Sequence, residues 1–159
     1  MTTVNYQKHH CPIAQALAEL GDQWTLLIVR DALLLGHRRF NEFQESLGIS
    51  RNLLTLRLAQ LCDAGILERV RIADSKRYAY TATQKCRDLE IVILALAKWA
   101  ENWATDPDIH HLEVLEKSTG RPVAVEFFQS EDGRTVQPDD IEVVRHGDPI
   151  PDQDEKARI

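Results

Sequence analysis

The sequence predicts a mainly α-helical domain that carries a two-stranded β-hairpin and is followed by a small β-rich extension. Through most of residues 11–104, apolar residues recur every three or four positions, as in helices that bury one face. Residues 67–81 interrupt this pattern with two alternating, strand-like runs around a polar turn. After Asp106-Pro107-Asp108 the helical periodicity ends and short β-branched runs follow.

Length and charge fit one domain with an acidic appendage. The net charge of −6 lies wholly in residues 109–159, which hold 6 Lys+Arg against 12 Asp+Glu, whereas residues 1–108 hold 13 of each. Residues 36–81 carry 8 basic and 5 acidic side chains, a local excess compatible with nucleic-acid binding. The first 13 residues hold no long apolar run, so we expect no signal peptide, and the apolar stretches at 26–35 and 89–100 are too short to span a bilayer. We therefore expect a cytoplasmic, nucleoid-associated protein that does not contact membranes.

Two helices open the domain. Pro12 suits an early position of the first, residues 11–20, because proline lacks the N–H that is unpaired there. Gly21 ends this helix, and Asp22 can cap the next, residues 23–35. The apolar residues of the second helix run nearly all round it, which is typical of a helix at the centre of a core.

The next two helices have the spacing of a helix-turn-helix. Phe40, Phe43 and Leu47 mark a short amphipathic helix that ends at Gly48. Ser50 can cap a following helix with a buried stripe of leucines, which ends at Gly65. About three residues around a glycine join the pair, as in helix-turn-helix motifs.

A hairpin and a long helix complete the domain. Residues 67–72 and 77–81 read as strands on either side of a turn at residues 73–76. A long helix capped by Thr81 or Thr83 then reaches about Ala104. Its wide apolar stripe needs a partner, and a second subunit is the simplest one. The residues predicted for a homodimer interface are Leu89, Val92, Ile93, Leu96, Trp99, Ala100 and Trp103.

This order of elements predicts a winged helix-turn-helix domain, and its motifs resemble the HxlR-type bacterial transcriptional regulators, relatives of the MarR group. The resemblance covers about residues 9–104 and rests on six segments in the family's order. It implies a homodimer, more often a repressor than an activator, that binds pseudo-palindromic double-stranded operator DNA through a dimer surface built from the first and last helices. One departure is Cys86, where the family usually has glycine. The matching segments are Cys11-Pro12, Asp22–Ile28, Arg38–Glu42, Ile49-Ser50, Leu58–Gly65 and Arg77–Thr81.

The polar side of the fourth helix is the predicted DNA-reading surface. An α-helix fits the major groove, and the residues of its first turns touch base edges. Arg51 suits guanine, Asn52 suits adenine, and Thr55 can supply a hydroxyl or methyl contact. Arg57, on the flank, suits either a phosphate or an internal ion pair. Backbone phosphates are the predicted partners of the helix cap and of basic residues outside this helix, namely Ser50, Arg38, Arg39, Lys76 and Arg77.

Two other function classes stay open. A winged helix can dock another protein without binding DNA, and the negative net charge favours that alternative slightly. An enzyme is the other class, but the sequence shows no nucleophile–base–orienter set, phosphate loop or paired carboxylates. We therefore expect no enzymatic activity.

Cys11 is the candidate sensor of an oxidant or electrophile. It stands before the first helix and beside Lys8, His9 and His10, and thiols near helix N-termini and cations are more reactive. Some HxlR-type regulators use a cysteine at this position to sense disulfide stress or quinones. The alternatives are inert packing of Cys11 and regulation by a small ligand. Adjacent histidines on an arm make a poor tetrahedral site, so we expect neither metal nor cofactor; Cys62 and Cys86 read as packing residues.

The predicted domains are residues 1–105, a β-rich extension at 109–147 and a polar, disordered tail at 148–159. Longer HxlR-type proteins resembling this chain carry a zinc ribbon in the extension, but Thr119, Gln129 and Asp132 stand at its cysteine positions. Threonine and glutamine do not hold structural zinc. The resemblance therefore implies a ribbon without metal, whose core must rest on other residues or dock on the first domain. The core residues predicted for it are Val123, Val125, Phe127 and Ile141.

Overall fold

The computed structural model describes residues 11–73, 75, 77–104, 114–128 and 130–141. The chain divides into two compact units, Met1–Leu112 and Glu113–Ile159. Among the described residues, no helix is both long and apolar enough to cross a lipid bilayer. The predicted tail, residues 148–159, lies outside the described part, and the predicted domain boundaries remain a prediction.

The first unit opens with helices α1, Pro12–Leu20, and α2, Gln23–Leu34. Pro12 is the first residue of α1, and the Asp22 side chain caps α2 by accepting a hydrogen bond of 3.0 Å from the Trp24 N–H. Helix α2 ends one residue earlier than predicted. As expected for a central helix, it buries several side chains: Thr25, Ile28, Val29 and Asp31.

Helices α3, Phe40–Leu47, and α4, Arg51–Asp63, form the helix-turn-helix. Gly48 ends α3 in the left-handed conformation, with φ of 60°, which glycine adopts without steric cost. Ser50 caps α4 and accepts a 3.4 Å hydrogen bond from the Leu53 N–H. The buried stripe of α4 consists of Leu54, Leu58 and Leu61, as its periodicity predicted.

Strands β1, Leu67–Arg71, and β2, Tyr78–Ala82, pair antiparallel as the wing. Leu67 lies opposite Ala82, and Arg71 lies opposite Tyr78. The base of the wing is tied to the loop before α3, because the Tyr80 N–H donates to the Arg38 carbonyl at 2.7 Å. Four helices and this hairpin form a winged helix-turn-helix, so the predicted fold class is confirmed.

The predicted long helix is two helices, α5, Gln84–Arg87, and α6, Glu90–Trp103. Thr83, one of the two predicted caps, caps α5 by accepting from the Cys86 N–H at 3.3 Å. The backbone then forms a 3₁₀-type turn, because the Leu89 N–H donates to the Cys86 carbonyl three residues earlier. Prediction of one continuous helix was therefore wrong at Asp88 and Leu89, where this tight turn interrupts the i to i−4 ladder.

The core lies between α2, the helix-turn-helix, the base of the wing and the start of α6. It joins residues from all of these elements into one apolar cluster, as expected for a single small domain. The buried apolar residues of the described chain are Ile28, Val29, Phe43, Ile49, Leu54, Leu58, Leu61, Ile66, Leu67, Cys86 and Ile93.

The second unit holds little regular structure in its described part. Strands β3, Phe127–Phe128, and β4, Thr135–Val136, pair antiparallel, and Leu115 bridges Pro122. The predicted turns at residues 118–120 and 131–133 are present, and Gly120 and Gly133 both have positive φ. The predicted core was wrong for its aliphatic members. Val123, Val125 and Ile141 are exposed, so they do not close an apolar core here.

Candidate nucleic-acid interface

The outward side of α4 presents three of the predicted base-contacting residues. Arg51, Asn52 and Thr55 are all exposed, while Leu54 and Leu58 face the core. These exposures follow from the 3.6-residue period of the helix, which separates the two sets onto opposite faces. The first two turns of α4 therefore offer polar side chains to any groove that admits a helix.

Arg51 and Asn52 occupy the first turn of α4. The Arg51 guanidinium carbon lies 5.2 Å from the centre of the Phe40 ring, a cation–π distance that holds the arginine beside the start of α3. The Asn52 side chain makes no hydrogen bond within the described part of the chain, so both its amide donor and its carbonyl acceptor are available.

Thr55 has one of its two hydrogen-bonding functions occupied. Its hydroxyl donates to the Arg51 carbonyl at 2.8 Å, so its proton is used within the helix. The oxygen lone pairs and the methyl group stay available to a ligand. Ser50, which caps the same helix, is also exposed, and the first N–H groups of a helix have no intrahelical acceptor. The Ser50 hydroxyl and these N–H groups are donors that suit a phosphate oxygen.

Arg57 was predicted as a phosphate contact or an internal ion-pair partner, and the geometry is that of the second. Its Nη2 lies 2.6 Å from Oδ2 of Asp22, the residue that caps α2. Its Nη1 donates to Oε1 of Gln60 at 2.9 Å. The side chain is only 23% exposed. Arg57 therefore links α4 to α2, and it is not among the residues that we propose to contact DNA.

Arg38 and Arg39 are exposed at the entry to α3. Their backbone N–H groups both donate to Oε2 of Glu42 at 2.8 Å. These two hydrogen bonds are the main reason that the pKa of Glu42 is lowered. Nη2 of Arg38 also donates to the Thr81 hydroxyl at 3.0 Å. The Arg38 side chain is thereby directed across the base of the wing.

The wing contributes three arginines. Arg77 is exposed, and its N–H donates to the Ser75 hydroxyl at 3.1 Å; Lys76, predicted beside it, lies outside the described residues. Prediction missed Arg69 and Arg71, both exposed on β1. The Arg69 guanidinium carbon lies 3.8 Å from the centre of the Tyr78 ring. Arg69 and Arg71 are two positions apart on one strand, which puts both on the same face. This spacing could have been recognised in the sequence.

Large apolar side chains are exposed on the outward sides of both α6 and α1. Two residues predicted for the dimer interface belong instead to the core of their own chain, because Ile93 is buried and Leu89 packs against the core cluster. Prediction also left out exposed apolar residues of both helices. The large apolar side chains exposed on these two helices are Ile13 71%, Leu17 47%, Ile91 60%, Val92 43%, Leu96 46%, Trp99 59% and Trp103 78%.

The three cysteines have different surroundings. Cys11 is exposed and is the N-cap residue of α1. Burial raises the pKa of Cys86 to about 11 and, together with the neighbouring Asp63, raises that of Cys62. A protonated, buried thiol is a weak nucleophile. Of the three, only Cys11 has the exposure that a sensor requires.

Comparisons with known proteins agree with the winged helix-turn-helix fold. The model of the HxlR-like helix-turn-helix family matches residues 19–108. An HTH-type transcriptional regulator of Mycobacterium tuberculosis is 32% identical over 133 residues, which cover 80% of this chain and 84% of the relative.

Solved structures extend the comparison. The crystal structure of the transcription factor PA1607 has a TM-score of 0.79 at 35% identity, over 88% of this chain and 98% of that one. The redox regulator HypR in its reduced form has a TM-score of 0.53 at 30% identity, over 58% of this chain and 92% of that one. The chain belongs to the HxlR-like helix-turn-helix family of transcriptional regulators.

Proposed function

We propose that the protein is a homodimeric, sequence-specific DNA-binding repressor of transcription. The observation that carries this proposal is the outward face of α4, where Arg51, Asn52 and Thr55 stand exposed at the capped end of a helix. A two-pronged guanidinium and a side-chain amide are the groups that distinguish guanine and adenine in the major groove.

Phosphate contacts flank this helix in the proposed complex. Arg38 and Arg39 lie before α3, and Arg77 lies at the wing. Arginine pairs with phosphate through several parallel N–H donors. Such contacts fix the position of α4 along the duplex but carry no base information. Arg69 and Arg71 add to the basic character of the wing.

The proposed dimer covers the apolar surface of α6 and α1. Trp99 and Trp103 are more than half exposed in the single chain, and apolar surfaces of this kind mark interaction sites. A two-fold axis between two copies of α6 would bring the two surfaces together. The dimer would then present two α4 helices. The exposure of Ile13 and Leu17 supports including α1 in this interface.

Binding to a pool of genomic DNA fragments at moderate salt tests the proposal. The wild-type protein is expected to enrich specific fragments, and Arg51→Ala is expected to lose that enrichment. Arg121→Ala is the matched control, because Arg121 is an exposed arginine of the second unit and its loss changes the net charge equally. Failure of the wild type to select any fragment would favour a winged helix that docks another protein.

We further propose that an oxidant or electrophile acts through Cys11. HypR is by name a redox regulator, and Cys11 is exposed at the start of α1, beside the proposed dimer surface. Addition of the Cys11 thiolate to a quinone forms a carbon–sulfur bond and leaves a hydroquinone. A bulky adduct there would displace α1 and change the spacing of the two α4 helices.

Treatment of the protein with a quinone tests the role of Cys11 as a sensor. The wild type is expected to change its affinity for the selected DNA, and Cys11→Ser is expected not to respond. Serine is a favourable N-cap residue, so this variant preserves α1 and keeps the other two cysteines. A response that persists in Cys11→Ser would exclude Cys11 as the sensor.

A small ligand is the alternative input. A concave pocket of about 310 Å³ lies between α1 and the α5–α6 junction, lined by Pro12, Leu20, Ile66 and Leu89 among others. The Lys85 ammonium at its edge lies 2.6 Å from Oε2 of Glu19. Because Glu19 also lines the pocket and neutralises Lys85, the apolar walls suit a small, mainly apolar ligand. Such a ligand would act equally on the wild type and on Cys11→Ser.

A further inference from the structure

A fully buried carboxylate lies near the end of α2, close to the loop that carries Arg38 and Arg39 before α3, here called the arginine loop. Asp31 is 0% exposed. Its Oδ1 accepts from Nε and Nη2 of Arg30 at 2.8 and 2.6 Å. Its Oδ2 lies 3.6 Å from Nδ1 of His37, and neither of these two atoms has a hydrogen-bond partner in the described part of the chain.

This arrangement determines where the histidine proton sits. A carboxylate oxygen has only lone pairs to offer, and a bare ring nitrogen also presents a lone pair. Two buried acceptors facing each other would be repulsive and unpaired, at the cost of both desolvations. Nδ1 of His37 therefore carries a proton directed at Asp31, in the neutral ring or in the imidazolium.

The pair also anchors the backbone of the loop. The His37 N–H donates to the Asp31 carbonyl at 3.0 Å, and Gly36 between them has φ of 68°. This hydrogen bond spans six positions, one more than the longer bond of a Schellman motif, and with Gly36 it ends α2 in a wide C-terminal turn. Asp31 thus holds His37 by its main chain and faces it with its side chain.

From His37 a chain of contacts leads to Arg38. The His37 ring packs edge-on against Phe43 with centroids 6.0 Å apart, and Phe43 packs edge-on against Tyr80 at 6.4 Å. Tyr80 is the residue whose N–H bonds to the Arg38 carbonyl, and Thr81 beside it accepts from the Arg38 side chain. The orientation of the His37 ring is therefore coupled to both ends of Arg38.

We propose that Asp31 and His37 form a positioning pair that aims Arg38 at a DNA phosphate. The pair touches no DNA itself; it fixes the ring that supports the start of the arginine loop. This inference rests on the proposed DNA-binding function and adds to it one buried residue, Asp31, and one partly buried residue, His37. Its consequence is that loss of the Nδ1 proton donor weakens DNA binding through Arg38 alone.

Two substitutions of His37 separate the donor from the ring. His37→Phe keeps an aromatic edge against Phe43 but removes the N–H, whereas His37→Asn supplies an amide donor near the position of Nδ1. With a 30-bp duplex selected by the wild type, His37→Phe is expected to bind roughly tenfold more weakly and to lose about one unit of salt slope, the signature of one phosphate contact. His37→Asn is expected to bind within about twofold of the wild type, because its amide N–H can donate to Oδ2 of Asp31.

A double-mutant cycle with Arg38→Ala tests whether the effect runs through Arg38. His37→Phe is expected to cause no further loss of DNA affinity in the Arg38→Ala protein. Additive losses, or equal losses in His37→Phe and His37→Asn, would overturn the positioning role. Thermal unfolding of every variant sets a temperature at which all are folded, so that affinity is compared between native proteins.

A measurement without DNA tests the pair itself. Long-range ¹H–¹⁵N NMR spectra of the histidine ring are expected to show His37 protonated at Nδ1; a proton found only on Nε2 would overturn the inference. The two proposals fail in different ways. A wild type that selects no DNA contradicts the proposed function, whereas a wild type that binds DNA as tightly as His37→Phe contradicts only the positioning role.

Discussion

Helices α4 and α6 pack against the same core but have opposite outward faces. Leu54 and Leu58 of α4 and Ile93 of α6 all lie in the buried cluster. Outward, α4 shows Arg51, Asn52 and Thr55 to solvent, whereas α6 shows Leu96, Trp99 and Trp103. The buried faces of the two helices stabilise the fold. Their outward faces differ in the kind of partner that each can bind.

The polarity of each outward face indicates whether it suits a reversible or a permanent partner. A polar helix face is hydrated when free, so it can bind and release a charged ligand. Two exposed tryptophans cannot be hydrated as favourably, and burying them removes a large apolar area from water. The proposed function therefore gives α4 the reversible contact with DNA and α6 the constitutive contact between subunits.

The largest expected effect comes from breaking the α6 surface. Leu96→Glu combined with Trp99→Glu places two carboxylates in the proposed interface and is expected to give a monomer in sedimentation experiments. Affinity for a two-half-site duplex should fall roughly 100-fold or more, because the second half-site no longer binds at high effective concentration. Asn52→Glu on α4 is the control and should stay dimeric. A monomeric wild type would contradict the assignment of α6.

Cysteine labelling sharpens the contrast between exposed and buried positions around α1 and α5. At pH 8 a thiol-reactive reagent is expected to modify Cys11 first and Cys86 last, with Cys86 slower by roughly 100-fold or more. The reason is that Cys86 is buried and its pKa is raised to about 11, so it stays protonated at that pH. Mass spectrometry of timed samples measures the order. Early modification of Cys86 in the native protein would contradict its place in the core.

Within α4, Arg57 is expected to affect folding rather than DNA binding. Arg57→Ala removes the partly buried pair with Asp22 and should lower the free energy of unfolding by about 1–2 kcal/mol. Affinity of the folded variant for DNA should match the wild type, in contrast to Arg51→Ala. Chemical denaturation and fluorescence anisotropy measure the two quantities. Weaker DNA binding at unchanged stability would return Arg57 to the DNA-contacting set.

The smallest expected effect is at the entry to α3. Two backbone N–H groups lower the folded-state pKa of Glu42 below its value of 4.5 in the unfolded chain. Its contribution to stability is therefore present above pH 4.5 and is lost as the pH falls through the folded-state pKa. The stability difference between wild type and Glu42→Gln should shrink over that acid range. A difference that is constant from pH 3 to 7 would exclude this origin.

The sequence was sufficient to predict the helices and hairpin of the first unit because glycines, caps and apolar periodicity coincide there. Ser50, Gly48 and the leucines of α4 each act locally, so their pattern is readable without the fold. The break before α6 was missed because no glycine or proline marks it; it arises from one tightened turn at Leu89.

Side-chain roles that depend on distant partners were harder to predict. Arg57 pairs with Asp22, 35 residues earlier in the chain, and no local pattern chooses between that partner and a phosphate. The Asp31–His37 pair was not predicted, because a charged residue in a central helix does not show from sequence whether it is buried. In the second unit the alternating valines suggested a core, but Val123 and Val125 are exposed.

Hydroxyl-radical footprinting of the wild-type protein on a selected fragment tests the central claim most directly. A dimer that presents two α4 helices should protect two patches on one face of the duplex, with their centres one helical turn, about 34–36 Å, apart. The bases between the protected backbone positions should form an inverted repeat. A single protected patch would contradict a dimeric DNA-binding regulator. So would the absence of any protection even at high protein concentration.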